Sequence, residues 1–442
     1  MSEGERRCGV LHPQSLQRAL LETRGKHMQL CDDRTIDPPF QSAIMSMSVD
    51  HVEDRYMLVG YANGGVAIID VSEETVKDKK FECALRIPQG QAHDFGVTSL
   101  AWYTRDTGLF VSGGFDEVVK IWDTNKAEVA IEYKTKGKVY DIDVHKTSTL
   151  HNLVAAANGH VVSLYDANSG LRQHSLRGHQ GTVNCVAWSV CEQYQLFSGG
   201  SDGTVVRMQS AKTFLSPVKK RLWDVRQGAS CLAFLSPEGK PWTSRRAFLA
   251  LPALPHKTCR KRRRTEHDGT ASSSSKGDEA ALLAHAKGVS CLRFTPDGRY
   301  LLSSGGDERV RLWNPVSCEL EIVNYGAFPQ ARAAAYKKVQ FDVSWSGKLL
   351  FHPCQNEVVV CDLASGNRIS RLRGHVGTVK CCVAKPRGED LFSGDQDANI
   401  LVWTPNDRQV ALVCPAGTDR ISRFLDGEEE VEVDVDNWSD SD

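Results

Sequence analysis

The sequence predicts an all-β fold: a seven-bladed β-propeller with a short N-terminal helical segment and a disordered acidic C-terminal tail. Two observations carry the prediction. A module of nearly fixed length recurs along the chain, running from a His through an apolar strand and a Ser-Gly turn with Asp to a second apolar strand that ends in Trp. Counting strong and weak copies together, the strand-terminal positions of that module number seven, at 69, 122, 165, 223, 313, 361 and 403.

Three copies are strong. They read His93, Ser112, Asp116, Trp122; His285, Ser303, Asp307, Trp313; and His375, Ser393, Asp397, Trp403, with His-to-Trp spacings of 29, 28 and 28. The same residue types at so constant a period are the signature of the WD repeat. A fourth set, His179, Ser198, Asp202 and Trp223, has the residue types but a spacing of 44. Weaker copies place Ile69, Tyr165 and Cys361 at the Trp position. Short Val/Ile/Leu strands bounded by Gly, Asp and Asn agree with this locally. Seven four-stranded blades closing into a ring bury the sheet faces and protect their edges.

Ser, His and Asp recurring together would also suit a hydrolase. A catalytic triad, however, appears once and beside an oxyanion hole. Here the set appears in four blades, and neither GxSxG nor a Gly-rich phosphate loop accompanies it. The reading is therefore structural: the four side chains hydrogen-bond to one another and lock the strands of a blade. No catalytic residue, cofactor or metal site is expected.

The chain divides into residues 1–40, a helical segment; 41–415, the propeller; and 416–442, the acidic tail. Two insertions interrupt the repeat. One lies near 203–220, between Asp202 and Trp223, and a divergent loop or a mis-assembled gene model accounts for it equally well. The other spans 236–280, beginning within "SCLAFLSPEGKPW", which reads as the start of an eighth repeat that never completes. Its Ser/Lys/Arg/Glu composition predicts disorder. Its core, Arg260, Lys261, Arg262, Arg263 and Arg264, fits a nuclear import signal, with a merely solvated basic loop as the plain alternative.

Residues 12–24 form a helix candidate, with Pro13 at the first turn and Gly25 at the stop. Leu16, Ala19, Leu20 and Thr23 share one face. A helix this short is marginal alone, so it packs on its own ring or in a partner's groove.

The net charge of −1 conceals an asymmetry. Residues 426–442 carry nine acidic groups and no Lys or Arg, while six basic groups fall between Lys257 and Arg264. With both segments set aside, 48 basic groups face 46 acidic ones. A nearly neutral body suits a protein-binding ring and not one that grips phosphates, so no direct nucleic-acid binding is expected. The 14 cysteines form no CxxC and no cluster with zinc spacing, which predicts reduced core thiols in an intracellular protein. No signal-like apolar core and no run long enough to span a bilayer occurs, so no membrane association is expected.

The stretches "EDRYMLVGYANGGVAIIDV", "YTRDTGLFVSGGFDEVVKIWDTN", "RLWDVR", "EIVNYG", "LRGHVGTVKCCV" and "LFSGDQDANILVW" resemble the Cockayne syndrome group A family across roughly residues 40–404. The resemblance implies a non-catalytic substrate receptor of a cullin-RING ubiquitin ligase in transcription-coupled nucleotide excision repair, acting in the nucleus. It implies as partners the damage-specific DNA-binding adaptor with its cullin-RING ligase, the Cockayne syndrome group B ATPase and the stalled RNA polymerase II complex. Carried over residue by residue, Leu16, Ala19, Leu20 and Arg24 would meet the adaptor, as would Trp223, Asp224 and Arg226 of a Trp-Asp-x-Arg box. The sequence departs from the family where the insertion after Asp202 interrupts that box, and in the exact residues of the helix. A generic nuclear scaffold or chromatin-binding propeller without ligase association is the alternative.

Overall fold

The computed structural model describes residues 23–72, 76, 79–104, 106, 108–146, 151–209, 231–234, 283–330 and 338–406. Within them lie seven four-stranded antiparallel sheets. Blades one to six span residues 44–87, 97–134, 139–177, 183–234, 289–321 and 342–373. Blade seven takes three strands from 379–405 and its fourth from Met28–Leu30. We letter the strands of each blade a to d, from the axis outward. The seven a strands contact one another in sequence around the ring, and blade one meets blade seven.

The apolar residues of neighbouring blades interdigitate. Among the described residues there are seven buried clusters, one for each pair of adjacent blades. Blades seven and one, for example, share Ile44, Met47, Cys381 and Phe392. A blade is thus covered on both faces, which explains why its b and c strands read as nearly continuous Val, Ile, Leu and Ala. The outermost strands alternate or turn polar, as in Glu128–Lys134. Small residues recur where blades approach most closely: a Cβ on Gly113 would sit 2.4 Å from Ile142 of the next blade.

The N-terminal strand closes the ring. Met28, Gln29 and Leu30 pair with Pro405, Thr404 and Trp403, and Ile36 adds a bridge to Ile400. Residues 28–40, grouped from sequence with the helical segment, are therefore bound to the propeller. Of the predicted helix, only its last part is described: residues 23–26 form a helical turn. Gly25 lies inside this turn, where a Cβ would approach Leu349 Cδ1 to 2.7 Å. Leu16, Ala19, Leu20, the box residues Trp223, Asp224 and Arg226, the basic run 260–264 and the tail 416–442 lie outside the described residues.

Blade four corrects two expectations. Its c strand is Val205–Gln209, and Leu196 pairs with Met208 as Phe110 pairs with Trp122 in blade two. Met208, not Trp223, stands at the terminal position, ten residues after Ser198. The His179-to-Met208 spacing is 29, so blade four is regular, and residues 203–209 are turn and strand, not insertion. The extra residues follow the c strand. "SCLAF" begins no eighth repeat: Cys231–Phe234 pairs with the c strand as strand d.

Candidate functional site

In blades two and five the four predicted side chains form a continuous chain. The Trp122 indole donates to Ser112 Oγ at 2.8 Å, Ser112 meets His93 Nε2 at 2.7 Å, and His93 Nδ1 meets Asp116 at 2.8 Å. Trp313, Ser303, His285 and Asp307 repeat this at 2.8, 2.7 and 2.8 Å. With the indole N–H and the carboxylate fixed in their roles, the hydroxyl donates to Nε2 and Nδ1–H donates to the Asp. The Ser and His of these two blades are wholly buried, so neither hydroxyl faces solvent. Burial alone would raise the Asp116 and Asp307 carboxyls, but the hydrogen bond and charge of the paired His hold both below the ordinary carboxylate range. Burial outweighs the pull of Asp307 and lowers His285, which keeps that imidazole neutral. The geometry joins strands b and c to the turn that precedes strand a.

Blade four keeps part of this arrangement. His179 meets Ser198 at 2.8 Å and Asp202 at 3.3 Å, Thr204 adds a 3.0 Å contact to Nδ1, and Ser198 Oγ reaches Met208 Sδ at 3.7 Å. A thioether cannot donate, so the chain ends there.

Blade seven departs from the predicted set. Trp403 donates to Ser393 and Ser393 meets His375, each at 2.7 Å, but the carboxylate on Nδ1 is Asp395 at 3.0 Å, not Asp397. Asp395 occupies the position of Gly114, Gly200 and Gly305 in the other tetrad blades. At Gly114 even a Cβ would lie 2.6 Å from Asp116 and 2.9 Å from His93. A carboxylate at that position fills the space the turn Asp uses elsewhere, and Asp397 is displaced to an exposed place. Asp395 also accepts the backbone N–H groups of Asp397 and Asn399 at 2.9 and 2.8 Å.

The antiparallel order puts the a–b and c–d turns on one end of the ring and the b–c and d–a turns on the other. The helical turn at 23–26 lies on the a–b end, where Arg24 bonds Glu389 at 2.9 Å. Arg24, predicted to meet a partner, is thus engaged by the ring itself. Residues 338–341 lead into blade six beside the a strand of blade seven, and the side chains of Lys338 and Gln340 reach across the axis. Lys338 contacts Asp141 of blade three and Ser99 of blade two. Gln340 accepts from Met47 N of blade one at 3.2 Å and donates to Met47 O at 2.6 Å. A cup of about 340 Å³, lined by these side chains and by the a–b turns, opens to the a–b end. Its walls carry acids that tie neighbouring blades: Asp141 and Asp143 accept from Val186 N and Trp188 N at 3.0 and 2.7 Å, and Asp342 accepts from Arg293 at 2.9 Å and Ala384 N at 3.0 Å. Burial pushes the Asp143 carboxyl up to about 6. Burial and the nearby Arg293 push Lys146 down to about 8.

Four segments, 86–123, 170–206, 279–314 and 366–404, match the WD domain, G-beta repeat. Over 99% of its length the chain is 30% identical to the WD repeat-containing protein ATCSA-1 of Arabidopsis thaliana, covering 99% of that protein. This chain belongs to the WD-repeat family. It is also 23% identical, over 59% of its length, to Radiation-sensitive protein 28 of Saccharomyces cerevisiae, covering 46% of it. Autophagy-related protein 16 of Arabidopsis thaliana is 23% identical over 73% of the chain, 58% of the relative. WD-repeat propellers are generally non-catalytic scaffolds for protein–protein contact, and the tetrads of this one hold its blades together.

The residues missed from sequence left some signal. Met208 obeys the spacing rule that Trp223 violates. Asp141 and Asp143 alternate within "VYDIDV", acids in an otherwise apolar strand. Nothing local marks Lys338 and Gln340, because their partners come from blades one, two and three.

Proposed function

We propose that this WD-repeat protein is the non-catalytic substrate receptor of a nuclear cullin-RING ubiquitin ligase acting in transcription-coupled nucleotide excision repair. The observation that carries the reading is the end-to-end similarity to ATCSA-1, a protein whose name marks it as CSA-like. The position of residues 23–26 supports it: the described chain begins on the a–b end of the ring. In this reading Leu16, Ala19 and Leu20 fill a groove of the damage-specific DNA-binding adaptor, and Trp223, Asp224 and Arg226 add a contact from the segment that follows the blade-four c strand. Arg24 steadies the base of the helix through Glu389. The opposite face recruits substrates, the Cockayne syndrome group B ATPase and the stalled polymerase. The run 260–264 directs nuclear import.

The mechanism is proximity. A rigid ring holds a substrate near the ubiquitin-loaded arm of the ligase and raises effective concentration without supplying chemistry. Changing Leu16 and Leu20 to Asp abolishes adaptor pull-down while circular dichroism stays that of the folded ring. Undiminished pull-down by that variant removes the helix as anchor. Absence of both adaptor and cullin from purified wild-type complexes favours a nuclear scaffold without ligase association.

A further inference from the structure

We propose that the acidic C-terminal segment of this chain, residues 426–442, docks in the cup at the a–b end of its own ring. Lys338 and Gln340 line the cup and reach across the axis to blades one and two. The mouth presents Lys146 and Lys385, whose ammonium also donates to Val71 O at 3.3 Å, beside Arg293, which Asp342 already pairs; Trp345 and Val52 on its rim are 52% and 42% exposed. Two of the wall acids are already engaged: Asp342 by Arg293 and the Ala384 amide, and Asp143 by the Trp188 amide. Lys146 lies on the cup beside Arg293, whose repulsion Asp342 and Asp143 offset, and an arriving carboxylate adds to that offset.

The tail has the complementary chemistry. Nine acidic groups are interleaved with Val431, Val433, Val435 and Trp438, so an extended strand offers carboxylates to the cations and apolar side chains to Trp345 and Val52. It also starts on the right side. The c strand of blade seven, Ile400–Pro405, runs toward the a–b end, and the described chain leaves the ring there at Asn406. A c strand lies two strand spacings, about 10 Å, outside the a strand that lines the cup. The 19 residues from 407 to 425 can span up to about 65 Å, well beyond that distance. Docking within one chain is intramolecular, so a weak intrinsic affinity suffices. Docking itself does not depend on the ligase reading. Its consequence does: an adaptor on the same face would compete with the tail.

The test is zero-length carbodiimide crosslinking in the full chain, read by peptide mass spectrometry, with hydrogen exchange alongside. The expected crosslinks join tail carboxylates to Lys146 or Lys385 and fall at least fivefold between about 50 and 500 mM salt, as charge screening requires. In the full chain with Glu428, Glu429, Glu430 and Glu432 changed to Gln, amide exchange in 50–55 and 344–348 quickens at least threefold over wild type. A Trp345→Ala variant gives the same quickening in 50–55. Tail crosslinks confined to the basic residues 257–264, or exchange unchanged by the Gln substitutions, overturn the proposal.

Discussion

Blade seven offers a direct contest between the sequence pattern and the folded geometry. By pattern, Asp397 completes the tetrad; by geometry, Asp395 does. Asp395 is fully buried and accepts from His375 Nδ1, from the amides of Asp397 and Asn399, and from Asn399 Nδ2 at 3.2 Å. Burial raises its carboxyl, and the His375 hydrogen bond leads the contacts that bring it back below the ordinary range. Asp395→Ala leaves a buried imidazole N–H and two amides without acceptors. At about 1–3 kcal/mol for each buried group left unsatisfied, with water reaching the turn amides, the loss is about 3–5 kcal/mol. Asp397→Ala removes an exposed carboxylate and changes stability by no more than about 0.5 kcal/mol. Equilibrium urea denaturation followed by tryptophan fluorescence separates the two, since Trp403 lies in the same network. Equal costs for the two substitutions, or a larger cost for Asp397→Ala, would show that the turn adopts the arrangement of the other blades and refute the displacement argument.

Three further outcomes follow from the same interior. Met208→Ala cuts a buried side chain at the blade-four terminal position and costs about 2–4 kcal/mol in thermal or urea unfolding. Lys338→Ala strands Asp141 without its cation and costs about 3 kcal/mol, while Lys338→Arg recovers part of it, measured by the urea midpoint. Stability also falls with acid. Burial depresses His145 and His352 to about 4, below the ordinary value of about 6.5, so their contribution is whole above pH 6.5 and drains away as pH falls toward 4. At pH 5 each contributes about 2 kcal/mol less than at neutrality. A melting temperature equal at pH 7.5 and 5.0 would contradict that sign, and His352→Gln flattens the slope.

What the sequence determined by itself is what local chemistry encodes. The His-to-Trp span, the Ser-Gly turn and the short β-branched strands each depend on neighbours within one blade, and the count of seven follows from repeating them. Blade two, from His93 to Trp122, was legible residue by residue. The folded ring decided the rest, because the deciding contacts are distant in sequence or a matter of volume. Asp395 displaces Asp397 because two carboxylates cannot share the space beside His375. Met208 replaces Trp223 because hydrogen-bond register, not residue type, sets where a strand ends. Met28–Leu30 closes the ring across nearly the whole chain, and Lys338 meets Asp141 across the axis. No window of sequence contains both members of such a pair. The two ends of the ring share that property: each is assembled from turns of different blades, and only closure of the ring brings them together.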